Sequence, residues 1–337
     1  MVDPSAHAEL EELGSEGLAG VRGEWQALEA RAEASPYLGF DWLHAWEQVY
    51  NPRRLALARV RSGSEVLALG LLENGPRGLV RFGGRPVTSE CGLLCAPGSE
   101  ASAWGAFRRL LEEVPWEGFE ARGLGTEAAR AVPGGWPTQR DWLAFELPES
   151  FDAYLAARSP GTRKGLKGKL RRAEREGASV RQVPDEERSA ALRDFVRLHG
   201  LRAATKGERH AAIDERLALM LERMPGQSAP KLFELIVPGG GRAGVTVRLD
   251  SGDNAHFYNA GIDPEWGRLS PGILLELASI RDAIEGGLQG YDLGPGDFRY
   301  KHDLGGSLVE RYEVTVTRRG RLARVLARIG RRLGRSG

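Results

Sequence analysis

Residues 254–304 constrain the fold more than any other stretch of the chain. Ala255–Ala260 alternates in polarity and stops at Gly261, which reads as a strand. Ser270-Pro271-Gly272 then opens a helix. Ser270 is a good N-cap, and Pro271 falls at the first helical position, where its missing N–H costs nothing. Ile273, Leu274, Leu277, Ile280, Arg281 and Ile284 follow at helical spacing, and Gly286-Gly287 ends the helix. Tyr291-Asp292-Leu293 is a short second strand, followed by a Gly-rich turn and a short helix. A helix N-terminus behind a strand and a Gly/Pro turn, with Arg268 just before it, can hold a phosphate, because its free N–H groups and dipole face the anion.

This stretch resembles the core of the GNAT superfamily, the acyl-CoA-dependent N-acyltransferases. More narrowly it resembles the CelD/BcsL-type acetyltransferases, which are related to the FemAB/FemX peptidoglycan transferases. The resemblance implies that Arg268, Leu269, Ser270, Gly272 and Ile273 bind the pyrophosphate of acetyl-CoA or another acyl-CoA. The loop departs from the family's Q/R-x-x-G-x-G/A pattern: counted from Arg268, its Gly falls one place late, and Ile273 or Leu274 stands for the last small residue. The ending D-L-G-P-G-D-F-R-Y-K-H-D-L-G-G is similar to the Y/F-K-x-x-F/L-G segment of FemX-like chains and places Lys301 at that family's lysine. The opening P-Y-L-G-F-D-W-L-H-A-W is similar to that of CelD/BcsL-type chains.

Composition closes off several alternatives. A chain of 337 residues with 41% hydrophobic and 28% charged residues can bury one large or two ordinary cores and is not disordered. A net charge of +1 argues against a general nucleic-acid binder. Cys91 and Cys95 would lie roughly 13 Å apart on a strand, too far for a disulfide, and a single C-x-x-x-C is a poor metal site, so both read as small buried hydrophobes. Neither a signal-peptide core nor a run of about 20 apolar residues is visible, which makes the cytoplasm the expected location.

In chain order, residues 7–34 read as an amphipathic helix broken near Gly14–Gly23, and Asp41 reads as the cap of a second helix that packs Trp42 and Trp46. Leu55–Arg61 and Val66–Leu72 form a hairpin. Shorter strands follow at Leu79–Phe82, Gly92–Leu94, Gly118–Arg122 and Leu143–Leu147, with helices at Ala101–Val114 and Thr126–Ala131. The second half opens with a short helix at Phe151–Ala157 and a basic helix capped by Ser159, which carries Arg163, Lys164, Lys167, Lys169, Arg171, Arg172 and Arg175 around a narrow Leu166/Leu170/Ala173 stripe. This helix resembles one that lies, in FemX and CelD/BcsL-type chains, beside the cleft between two GNAT-like domains. Arg163, Lys167 and Arg171 are therefore candidates to bind an anionic or phosphate-bearing substrate. A strand at Ser179–Val183, a helix from Asp185 to Leu201, a polar loop at 202–212 with Glu208 and His210 as substrate candidates, and a helix at Asp214–Met224 lead into a meander. The meander strands are Lys231–Val237, Arg242–Leu249 and Ala255–Ala260.

The expected fold is α/β with mixed sheets: tandem GNAT-like domains over residues 1–147 and 148–317, FemX-like, with an Arg-rich amphipathic tail at 318–337. The tail's Leu322, Val325, Leu326, Ile329 and Leu333 stripe would either lie on an anionic membrane surface at the inner face or pack on the body. Acyl transfer needs a polarised carbonyl, for which the N–H groups around Phe257–Ala260 are placed, and a proton acceptor. His256, Asp292, Asp297, Glu208 and His210 are the candidate bases, Tyr258 a candidate acid for the leaving thiolate, Lys301 a partner for phosphate or carboxylate, and Asn259 a substrate contact. His256 and Tyr258 should share a strand face. Glu90 matches loosely an acidic residue of the resembled family. Three functions follow: an acyl-CoA-dependent N- or O-acyltransferase for a small or carbohydrate- or envelope-linked acceptor; a FemX-like transferase using aminoacyl-tRNA; or a non-catalytic binding protein on a GNAT scaffold. No metal motif of useful spacing is present.

Overall fold

The computed structural model describes residues 3–317 apart from 33, 53, 76, 77, 135 and 208–211. The expected tail at 318–337 and the candidates Glu208 and His210 therefore lie outside the described residues. The first half runs β1 (His7–Glu12), α1 (Arg22–Glu29), α2 (Phe40–Tyr50), β2 (Leu55–Ser62), β3 (Glu65–Asn74), β4 (Leu79–Phe82), β5 (Leu94–Cys95), α3 (Glu100–Glu113), β6 (Gly118–Leu124), α4 (Thr126–Ala131), β7 (Trp136–Arg140) and β8 (Trp142–Glu146). The second runs α5 (Phe151–Ala156), α6 (Pro160–Arg175), β9 (Ser179–Gln182), α7 (Arg188–Lys206), α8 (Glu215–Arg223), β10 (Lys231–Ile236), β11 (Arg242–Ser251), β12 (Asn254–Ile262), α9 (Pro271–Glu285), β13 (Gly290–Pro295), α10 (Arg299–Asp303), β14 (Ser307–Leu308) and β15 (Arg311–Thr317).

Two mixed sheets result. The first has the order β1-β2-β3-β4-β6-β15-β7, with β5 paired to β3; the second has the order β14-β8-β13-β12-β11-β10-β9. Each contains one parallel pair, β4/β6 or β12/β13, and each parallel pair is joined through a helix, α3 or α9, that follows an antiparallel meander. A parallel pair requires such a crossover. The repeated order of meander, helix and parallel strand is the tandem architecture that the resemblance implied.

The strands do not respect the expected boundary at 147. Trp142–Glu146 pairs with β13 and β14 in the second sheet, while Arg311–Thr317 pairs with β6 and β7 in the first. Each sheet completes itself with a strand from the other half, so the halves are locked together by backbone hydrogen bonds. Other local expectations also give way to tertiary pairing. His7–Glu12 is an edge strand paired along its length with β2, and Glu9 and Glu11 meet Arg59 of β2, which also holds Glu24. Gly39, not Asp41, is the N-cap of α2, and the Asp41 carboxylate instead accepts from Ser228 Oγ at 2.7 Å. The helix expected to end at Leu201 continues to Lys206.

The second sheet is covered on one face by α7 and α8, with α2 packed beside them, and on the other by α9 with α5 and α6. Trp42 and Trp46 are core residues, as their spacing suggests. Each indole also ties α2 to the 85–88 loop, Trp42 Nε1 to Thr88 Oγ1 and Trp46 Nε1 to the Arg85 carbonyl, both at 2.8 Å. Cys91 and Cys95 are free thiols, Cys91 buried against β6. No helix among the described residues is long and apolar enough to cross a membrane.

Gly261 tests how tightly α7 sits on β12. A Cβ there would lie 2.3 Å from the Phe195 carbonyl oxygen, whereas one at Gly267 would meet nothing within 4 Å. Gly261→Ala should therefore cost roughly 2–3 kcal/mol in a denaturant titration and Gly267→Ala close to nothing. Equal midpoint shifts would contradict the packing.

Candidate active site at the fork between two strands

The parallel pair β12/β13 is hydrogen-bonded over three residue pairs only, Asn254↔Gly290, Ala255↔Tyr291 and His256↔Asp292. Beyond them the strands part, for two local reasons. On β12, Val247 of β11 faces Asn259 and Arg248 faces Phe257, so Tyr258 is an extra, bulged residue that bends the strand. On β13, the register with β8 shifts between Asp292 and Gly294, where Gly294 takes φ 72°. Such a turn suits glycine. From Phe257 onward β12 pairs with no strand on its β13 side among the described residues, and its main-chain groups there line a fork.

Asp292 pins the fork. Its carboxylate accepts Trp142 Nε1 at 2.7 and 2.9 Å and the Gly294 N–H at 2.6 Å. Across the pair, His256 Nδ1 lies 3.9 Å from Asp292 Oδ2, within ion-pair but not hydrogen-bond distance. Burial pushes the imidazole pKa down, opposed by Asp292 and Asp250, so the ring favours its neutral, proton-accepting form. His256 and Tyr258 do share a face: Tyr37 lies 6.4 Å from the His256 ring and 6.3 Å from the Tyr258 ring, measured between centroids. Tyr258 donates to the Val87 carbonyl at 3.0 Å, and burial raises its pKa far above the phenolic range, so its proton is already engaged. Tyr37 is likewise raised, by burial and then by Asp292. Glu90 faces the same region, its pKa pushed up to about 7 by burial, with Arg311 opposing.

Lys301 has a structural duty. Its ammonium is buried and donates to the carbonyls of Gly294 at 3.0 Å and Pro295 at 2.6 Å, latching α10 to the end of β13, and burial lowers its pKa to about 8. Asn259 turns inward on its own strand, accepting the Ala260 N–H at 2.8 Å. Asp297 pairs with His302 at the surface.

The helix start beyond β12 is built as expected in outline and differently in detail. Leu269 is buried, Pro271 is at N1, and the Gly272 N–H has no backbone acceptor. Ser270, expected as the cap, adopts φ 58° and makes no capping bond; its Oγ accepts Lys169 Nζ at 3.2 Å instead. Arg268 is drawn aside, donating to Glu176 at 3.1 Å and lying 4.7 Å over the Trp266 ring, while its carbonyl accepts Arg172 Nη1 at 3.1 Å. Ile273 donates back to the Ser270 carbonyl at 3.0 Å. The cations that reach this loop are thus Lys169 and Arg172. Arg163, Lys167 and Arg171 belong to the same helix, and Lys167 and Arg171 are exposed, with Arg171 Nε on the Lys167 carbonyl at 3.3 Å. A 16-residue helix with so thin an apolar stripe gives its rotation away poorly, so sequence spacing did not single out Lys169 and Arg172 as the cations that reach the loop.

Beneath the fork, on the α9 face, lies a buried network with no obvious sequence signal. Glu276 accepts Thr246 Oγ1 of β11 and Tyr291 Oη of β13, both at 3.0 Å, and Tyr291 Oη meets Ser279 Oγ at 2.7 Å. Arg248 is fully buried and bonds Asp250, Asp282 and the Ser279 carbonyl. Together they clamp β11 and β13 to one helix on either side of β12. Among the described residues no group of three or more His, Cys, Asp or Glu side chains converges as a metal site would require.

Comparison with known proteins agrees with this fold. Residues 160–302, from α6 through α10, match the family model described as the acetyltransferase (GNAT) domain. Among solved structures, FemX superposes with a TM-score of 0.65 at 12% identity, covering 91% of this chain and 97% of that one. A domain described as the C-terminal part of a putative lysylphosphatidylglycerol synthetase from Agrobacterium fabrum gives 0.61 at 10% identity, with 90% and 93% covered. L-PGS from Bacillus licheniformis gives 0.60 at 12% identity, with 94% and 96% covered. No curated protein sequence matches. The chain therefore has a GNAT-like fold in which both halves take part.

The buried network makes a pH prediction. Burial raises the Glu276 carboxyl pKa from 4.5 to about 7. A carboxyl raised on folding contributes stability that is fully present below its unfolded pKa and lost as pH rises through the folded one. Between pH 5 and pH 8 the parent should lose about 2 kcal/mol more than Glu276→Gln in urea titrations, because a tenfold change in proton affinity is worth about 1.4 kcal/mol. Identical slopes in parent and variant would show that Glu276 does not titrate there.

Proposed function

We propose that this protein is an acyltransferase of the GNAT kind, taking its acyl group from acetyl-CoA or another acyl-CoA and passing it to an amine or hydroxyl of a small or carbohydrate- or envelope-linked acceptor, as in the CelD/BcsL-type enzymes. The observation that carries this reading is the fork: a strand edge freed of its partner, opening beside an imidazole–carboxylate pair and followed directly by a helix N-terminus with a cation at its first turn. The edge of β12 beyond Phe257, which β13 does not pair, suits a polarised thioester carbonyl, with the Ala260 N–H exchanging the Asn259 side chain for that oxygen. The Gly272 N–H and Lys169 suit the donor's phosphates. His256 takes the proton as the acceptor nucleophile attacks, and Asp292 stabilises the imidazolium that forms. The C–S bond breaks as the new C–N or C–O bond forms, and the thiolate leaves with a proton from solvent. Positioning supplies much of the effect in such a site.

A second reading, aminoacyl transfer from a charged tRNA, draws on α6, whose exposed cations Lys167 and Arg171 have no carboxylate partner among the described ion pairs. Binding of that kind is strongly weakened by salt.

Calorimetric titration of acetyl-CoA separates the two. The parent should bind, and Gly272→Glu, which sets bulk and negative charge at the helix start, should weaken binding about tenfold or more. In the transfer assay that binding would justify, rate should fall on the acid side as His256 is protonated, below the ordinary imidazole value because burial depresses its pKa. His256→Gln should remove that limb and lower kcat about a hundredfold. Absence of heat at millimolar acetyl-CoA, with salt-sensitive binding of charged tRNA, would favour the second reading.

A further inference from the structure

The first sheet turns a polar face toward the fork. β6 and β15 bury Phe119, Ala121, Val314 and Val316 in the core with α3 and α4. The alternating side chains Glu120, Arg122, Arg311 and Glu313 therefore stand on the other face. There Arg85 pairs with Glu120 at 3.3 Å, Arg140 pairs with Glu313 at 3.0 Å, and Arg122 reaches the same Glu313 only at 4.0 Å. Arg311 lies directly across from Arg140 in the β7/β15 register. Its guanidinium carbon is 5.8 Å from the Trp142 ring centre, and Trp142 is the residue that holds Asp292. The polar face thus runs up to the fork without a break in contact.

This face holds more guanidinium than the carboxylates within ion-pair distance engage, with buried Glu90 feeling the charge of Arg311 from nearby. Arg311 has no ion pair among the described residues; its hydrogen bond is to the Glu310 carbonyl at 3.2 Å. The Nε atoms of both Arg122 and Arg311 are buried without a partner among the described residues. Burial, and then neighbouring Arg122, lowers the pKa of Arg85. A buried N–H without an acceptor is destabilising, and native structures keep few of them. Nε and its neighbouring Nη are also the edge of the guanidinium that grips a carboxylate or phosphate through two parallel bonds. Arg122 and Arg311 sit on a diagonal of adjacent strands, a separation that long side chains span.

We infer that this face anchors the acceptor: Arg122 and Arg311 bind an oxyanion, phosphate or carboxylate, that the acceptor carries, leaving its nucleophile at the fork. The anchoring of an acceptor rests on the transfer reading above; the binding of the anion does not.

The test uses the full chain with methyl phosphate and acetate as probes, followed by calorimetry and thermal melting. The parent should bind at least one of them, and the tighter of the two names the group. Arg311→Met and Arg122→Met should each weaken that binding at least about tenfold, while Gly272→Glu leaves it intact. Arg311→Lys, which keeps the charge and loses the fork, serves if the methionine variant fails to fold and should bind as weakly. No binding of either probe, unchanged binding in the arginine variants, or loss of binding in Gly272→Glu would overturn the anchor. Anion binding that survives a failed acetyl-CoA titration would keep this site and remove the donor assignment.

Discussion

A parallel strand pair that stops after three residue pairs is the constraint on which the rest of this structure depends. Two parallel strands at the centre of a buried sheet would ordinarily pair along their length, because an unmet backbone group is expensive to bury. Here the bulge at Tyr258 and the glycine turn at Gly294 force them apart, and the Asp292 carboxylate fixes the turn by accepting both the Gly294 N–H and the Trp142 indole. Trp142 belongs to a strand that the first half of the sequence supplies to the second sheet. The exchange of strands between the two halves therefore supplies one of the bonds that hold the fork.

Holding a sheet open requires bracing on both sides of the gap. Glu276, Thr246, Tyr291, Ser279 and Arg248 do this beneath the fork, through buried hydrogen bonds that each find a partner. Lys301 does it at the far end by drawing α10 onto the Gly294 and Pro295 carbonyls. The cost of burying Glu276 is visible as a carboxyl pKa raised to about 7, and that of burying Lys301 as one lowered to about 8. Both groups fit a rigid wall rather than a moving part, and neither is offered to a ligand.

Much of the second half was legible because its signals are local. The Ser159 cap, the meander β10–β12, Pro271 at N1 and the stop at Gly286 all lie within a few residues of what they control. The pairing of His256 with Asp292 was within reach because both sit on adjacent strands of one crossover. What was not legible is non-local. The alternation of His7–Glu12 fits a strand or a helix, and only its pairing with β2, far along the chain, decides for the strand. Neither the exchange of β8 and β15 nor the meeting of Tyr37, Glu90 and Arg311 near the fork has a sequence signature, since each residue comes from a different element. Lys301 stood out through family resemblance as an anion partner, yet its burial gives it carbonyl partners that sequence spacing could not reveal.

The measurement that bears most directly on the fork is backbone hydrogen exchange with and without acetyl-CoA. Protection gained together at Phe257–Ile262, along the open edge of β12, and at Gly272–Leu274, where α9 begins, is the predicted result, with Asn254–His256 already protected in the free protein by pairing with β13. Protection gained elsewhere, with these two segments unchanged while the donor is bound, would show that the open edge does not receive the acyl group.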